Sequence, residues 1–215
     1  MKITEGCFEA TGHTSIICDF SPPRSGDSAV ITQAQIDADF ILVAYNPGRA
    51  VRTNSAMLAA AIQQSGKNAV FTLATRDMNK LAVQSLLLGA QLLGLQNVVV
   101  VQGDLFGEQD QARVATVNDY HSTGLISAIV QMNQGQDFKE AKLRAPSDFC
   151  IGGAVDLGRG IEEEAQLAVR KVQAGAEFLI TQPIFNVDHV ARYRESYAYH
   201  AGKSGTLPIY FGLQI

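Results

Sequence analysis

The chain has 215 residues, with 17 Lys and Arg against 21 Asp and Glu, a formal charge of −4 and 47% hydrophobic residues. This length accommodates one large domain, and the apolar share excludes a disordered chain. The mildly acidic balance has no basic run and argues against a nucleic-acid backbone binder. The apolar runs are strand-sized and fall short of the roughly 18 residues a membrane span needs. The opening MKITEGCFEATG has no apolar signal core, so a cytoplasmic protein is expected. Cys7, Cys18 and Cys150 form no C-x-x-C, which indicates neither a zinc site nor a disulfide framework.

Seven apolar runs follow one another: 15–21, 40–45, 69–75, 98–103, 149–155, 178–182 and 207–213. They do not alternate apolar with polar residues. Continuous apolarity means burial on both faces, as in parallel strands covered by helices. Helices are predicted between them. Residues 53–66 end on a glycine. Asp77 is placed to cap a helix in which Leu81, Ser85, Leu88 and Leu92 share one face, with Gly94 as the stop. A polar loop over 105–120 leads to a helix over 122–133 and a turn at Gly135. Residues 162–175 carry acids in the first turn and Arg170 and Lys171 in the last, which suits the helix dipole. A last helix is predicted over 187–202.

Strict β/α alternation predicts an α/β fold, and repeats of about 25 to 30 residues suit a (β/α)8 TIM-type barrel. The rival is a doubly wound open sheet, which normally has a Gly-rich turn after its first strand. Here Asp19-Phe20-Ser21-Pro22-Pro23 stands in that place. With no linker in view, residues 1–215 are expected to form a single partial barrel. About seven βα units are present and the last is missing, so the chain reads as truncated, with unpaired edges on its first and seventh strands.

Barrel chemistry sits at the C-terminal strand ends. These carry Asp19, Asn46, Arg76-Asp77, Gly103-Asp104, Asp156 and Thr181-Gln182. Asp77 reads as a cap and Asp156 as either cap or functional acid. Asp19 and Asp104 have no helix starting immediately after them, so capping explains them poorly. His13, His121, His189 and His200 show no metal-ligand spacing, and no nucleophile–base order is visible. From the residues alone the reading is a barrel with an acidic mouth, suited to acid/base work beside an organic cofactor.

Several stretches, in order and over nearly the whole chain, resemble the methylenetetrahydrofolate reductase family. They are Leu73-Ala74-Thr75-Arg76-Asp77, then Leu93-Gly94-Leu95-Gln96-Asn97-Val98 leading into Gly103-Asp104, Ile151-Gly152-Gly153-Ala154-Val155, and Ala174-Gly175-Ala176 through Thr181-Gln182-Pro183-Ile184-Phe185. Asp19-Phe20-Ser21-Pro22-Pro23-Arg24 resembles the family's first strand. The resemblance implies a flavoprotein barrel with FAD that reduces 5,10-methylenetetrahydrofolate with NAD(P)H. It implies catalytic roles for Asp19, as general acid, and Asp104, near pterin and flavin. Folate or nicotinamide contacts fall to Gln182 and Phe185. The implied FAD contacts are Thr72, Gln102, Gly103, Asp104, Tyr120, Ala154, Glu164, Arg170 and Lys171.

The sequence departs from the family pattern in three places. Asp19 stands where the family has Glu, about 1.5 Å shorter in reach. Thr72 replaces a flavin-side His, and the usual Thr at the second strand end is replaced near Ala44 or Tyr45. The alternative reading is a flavin-binding barrel subunit of a one-carbon complex with altered or lost activity. A corrinoid-linked methyltransferase or an aldolase is a third, although no strand end offers a Schiff-base lysine. A homo-oligomer and a partner subunit both stay open.

Overall fold

The computed structural model describes residues 1–5, 15–202 and 207–214; Cys7 and His13 lie outside them. Seven parallel strands form one sheet in chain order. They are β1 (Ile17–Phe20), β2 (Phe40–Val43), β3 (Ala69–Ala74), β4 (Asn97–Val101), β5 (Cys150–Val155), β6 (Phe178–Pro183) and β7 (Ile209–Gly212). Each falls within a predicted run or one residue from it. The helices are α1 (Val30–Gln33), α2 (Ser55–Gln64), α3 (Lys80–Leu92), α4 (Glu108–Gln111), α5 (Ser122–Asn133), α6 (Ile161–Gln173) and α7 (Val187–Ala201). The short α4 lies in the stretch read from sequence as a polar loop, and the short α1 lies between β1 and β2, where the sequence reading set no helix bounds. No described helix is long and apolar enough to cross a membrane.

Sequential strand order excludes the doubly wound sheet, in which the order reverses. The sheet instead curls into a nearly closed barrel of TIM type. β1 and β7 are not paired with each other, but the Tyr210 hydroxyl of β7 reaches to 3.5 Å from Ser15 Oγ, just before β1. β3 is buried at all six positions, whereas all four residues of β7 are half-buried, as befits an edge.

Side-chain alternation sorts the strands into two layers. Phe40, Leu42, Val70, Val99, Cys150 and Phe178 point inward and pack with Ile3. Ile41, Val43, Phe71, Leu73, Val98, Val100 and Ile151 point outward against α2, α3 and α5. Leu179 packs outward with Tyr193 and Tyr197 of α7. The barrel floor is a 3-10 turn, Ile3–Glu5, whose Ile3 is fully buried. Asn97 pins it, accepting from the Ile3 N–H at 2.9 Å and donating to the Met1 carbonyl at 3.0 Å.

Two expectations are corrected at α3. Its cap is Asn79, whose side chain accepts from the Ala82 N–H, and not Asp77. Its buried face is Val83, Gln84, Leu87 and Ala90. Leu81, Ser85, Leu88 and Leu92 face solvent, with Leu81 65% and Leu92 86% exposed. The helix carries two apolar stripes, and the one containing Val83 and Leu87 meets the sheet.

Candidate functional site

The inward columns end at the C-terminal mouth, and parity fixes what lines it. Asp19 follows Ile17, Thr72 and Ala74 follow Val70, Gly103 follows Val101, Ala154 follows Cys150, and Gln182 follows Ile180. Ala44 continues the column of Phe40 and Leu42. The lower lumen is therefore filled by bulky groups. Its upper layer has small ones: Ala44, Thr72, Ala74, Gly103 and Ala154. Gly103 takes φ +87°, a conformation that favours glycine, and a Cβ there would stand 3.2 Å from Arg76 Cβ and 3.4 Å from Ala74 Cβ.

Asp19 keeps water contact, because it sits on the rim of a concave mouth. The protein crowded around that mouth thins the solvent about the carboxyl and pushes it above its ordinary value of 3.8. Gln182, Phe185, Gln102 and the Asp104 side chain are exposed at the same end of the barrel. The Asp104 carbonyl accepts from Arg76 Nη1 at 2.6 Å.

Arg76 organises this side of the mouth. Its guanidinium is bidentate on Asp77, donates to Asp104 and lies 3.9 Å from the Phe106 ring centroid. Tyr45 donates to the same Asp77 carboxylate. Burial works against the Asp77 charge, yet Arg76 and Tyr45 outweigh it and hold the carboxyl below its usual value. Burial first, and Asp77 second, raise the Tyr45 phenol. Arg49 donates to the Leu105 carbonyl at 2.9 Å, so two arginines hold the segment after β4. The sequence reading missed this cluster by assigning Asp77 to a cap. The signal available was an Arg-Asp pair at a strand end with Phe106 shortly after the next one.

The other named residues separate. Asp156 caps a 3-10 turn, accepting from Gly158 N–H and Arg159 Nε at 3.1 Å each. Glu164 is buried and accepts from the Asp156 N–H at 3.1 Å. Lys171 is buried with its ammonium on the Ala154 carbonyl, and burial lowers its pKa against the opposing pull of Glu164. Both side chains brace the end of β5 from behind. Arg170 is exposed on the outer face. Tyr120 is half-buried, with Lys80 Nζ 5.3 Å from its ring centroid. Among the described residues no group of acids, histidines and cysteines is arranged to hold a metal ion.

Solved structures share this fold. An uncharacterized protein from Clostridium thermocellum, which binds two copies of 5-methyl-5,6,7,8-tetrahydrofolic acid, superposes with a TM-score of 0.64 at 15% identity. The match covers 93% of this chain and 66% of that one, so the chain spans just under two thirds of its length. A 2,3-dimethylmalate lyase of the PEP mutase/isocitrate lyase superfamily gives 0.57 at 13% identity, over 92% of this chain and 73% of that one. A putative lyase/mutase from Burkholderia cenocepacia gives 0.57 at 14%, over 97% and 81%. At such identities these likenesses establish the barrel alone. The sequence itself goes further, since the methylenetetrahydrofolate reductase family model matches residues 6–213. With a match over almost its full length, the chain belongs to the methylenetetrahydrofolate reductase family.

Proposed function

We infer that the chain reduces 5,10-methylenetetrahydrofolate to 5-methyltetrahydrofolate, with FAD in the barrel mouth and NAD(P)H as electron source, in the cytoplasm. Family membership supports the reaction class, and the methyltetrahydrofolate-binding neighbour supports a reduced folate as ligand. The observation that carries the reading is an upper lumen of small residues with an acid, Asp19, on its rim.

That layer fits a planar ring system. The partly exposed Ala44, Gly103 and Ala154 present little side chain where a flat ligand would lie, and a Cβ at Gly103 would press on Ala74 and Arg76. Bound there, FAD would supply hydride relay between nicotinamide and folate. Thr72, Gln102, Gly103, Asp104 and Ala154 would hold it at the strand ends, Arg170 and Tyr120 farther out. Glu164 and Lys171 would act from behind by fixing the β5 end.

The chain's own residues handle binding and the proton. Asp19 donates a proton to folate N10 as the five-membered ring opens, and a raised carboxyl is the better acid near neutrality. Gln182 offers both an amide donor and an acceptor to a heterocycle edge. Phe185, 84% exposed, offers a ring face for stacking. Asp104 contacts the pterin and biases the charge around it.

The test begins with the absorbance spectrum of the purified chain mixed with FAD. Oxidation of 5-methyltetrahydrofolate with an artificial electron acceptor follows. Turnover is expected, and Asp19→Asn is expected to lower it by roughly 10²- to 10⁴-fold, while NAD(P)H oxidation by the same acceptor persists. A flavin spectrum without folate turnover in the unaltered chain would replace this reading with the flavin-binding subunit.

A further inference from the structure

Among the described residues, the outward stripe of α3 has no partner. Leu81, Leu88 and Leu92 are 65%, 42% and 86% exposed, and Ser85 between them is exposed as well. The ring neighbours of α3, α2 and α5, are already in place, whereas an additional βα unit would enter between β7 and β1.

We propose that α3 is the interface between two copies of this chain, packed antiparallel across a two-fold axis. The four stripe positions are spaced by four, three and four residues, which is the alternation of a coiled-coil seam. That spacing is palindromic. Run antiparallel against itself, it sets Leu81 against Leu92 of the partner subunit and Ser85 against Leu88 of the partner subunit. The small Ser85 lets the two helices approach at the centre.

Charge agrees with self-pairing. No Lys, Arg, Asp or Glu occurs from Leu81 to Gly103, so the two facing helices bring no like charges together along their stripes, while Arg144 stands at the flank, across the neighbouring groove. The flanking Lys80 is exposed at the helix N-terminus. In this register it meets the C-terminal end of the partner's α3, where unpaired carbonyls carry negative partial charge. A solvated helix face normally carries charge, and its absence here is the mark of an interface core.

Area sets the strength. A helix of 13 residues is about 20 Å long, and its stripe alone covers less than the roughly 800 Å² per partner of a standard interface. A groove of about 620 Å³, bounded by Leu88, Leu92, Leu143 and Arg144, runs alongside and widens the contact. The expected dimer is therefore weak, with a Kd on the order of micromolar.

Sedimentation equilibrium of the full chain tests this. The unaltered chain is expected to pass from monomer to dimer as concentration rises through the micromolar range. Leu88→Glu and Ser85→Lys are each expected to weaken dimerisation at least roughly 100-fold, with thermal unfolding unchanged because both positions are exposed. Mixing the two variants is expected to restore a dimer, since the antiparallel register sets Lys against Glu. A chain that stays monomeric to about 100 µM overturns the proposal. So does a dimer that survives both substitutions, or a mixture that fails to recover.

Discussion

The Arg76 guanidinium closes on the Asp77 carboxylate through two hydrogen bonds, Nε–Oδ1 at 2.6 Å and Nη2–Oδ2 at 2.8 Å. Neighbours in sequence seldom face each other along a strand. The pair forms because β3 ends at Ala74, and the chain then turns while Phe106 covers the guanidinium from beyond β4. Arg76 thereby joins the ends of two strands.

Removing one partner tests that joint. Asp77→Ala leaves the buried Arg76 charge without its counter-ion, at an expected cost of about 2–4 kcal/mol in urea unfolding. The effect depends on pH with a defined sign. The folded-state carboxyl lies below its ordinary 3.8, so its contribution is full above that value. It is lost as pH falls through the depressed value. The gap between variant and unaltered chain is expected to narrow in strongly acid solution. A constant gap would mean that packing, and not the ion pair, holds the turn.

Asp19 behaves in the opposite sense. Its folded-state carboxyl lies above the ordinary value, so folding favours the protonated form. Any stability tied to it is present below the ordinary value and fades as pH rises through the raised one. Asp19→Asn is therefore expected to unfold no more easily than the unaltered chain at neutral pH while losing folate turnover. Loss of stability and activity together would point to a structural acid.

Gly152 has little freedom. A Cβ there would lie 2.3 Å from Phe178 Cζ, and the Phe178 ring is itself held edge-on by Tyr210 at 6.3 Å. Gly152→Ala is expected to cost about 1–3 kcal/mol, with part recovered when Phe178→Leu is added. Failure of the second change to help would place the strain in the backbone.

The strands were legible because a parallel sheet buries both faces, and runs such as Asn97–Val101 carry that mark without help from tertiary context. Helix orientation was not legible. Leu81, Leu88 and Leu92 repeat at helical spacing, and so do Val83, Leu87 and Ala90, yet only the second set meets the sheet. Periodicity shows that a face is apolar and does not say what covers it. Strand-end position predicted that Asp19, Gly103 and Gln182 would stand at the barrel mouth, where the fold has them. The tie among Tyr45, Arg76 and Asp77 joins the ends of two different strands, and no local pattern encodes it. Lys171 shows the same limit from the other side. Its place late on α6 suits the helix dipole, and only the fold turns its ammonium inward to the Ala154 carbonyl.

The step from large to small side chains along the lumen divides the barrel by height. Substitutions near the floor, around Ile3, Phe40 and Phe178, register as melting temperature. Those a few ångströms higher, at the partly exposed Ala44 or Ala154, are expected to leave it nearly unchanged. The floor and the mouth of one barrel can therefore vary independently of each other.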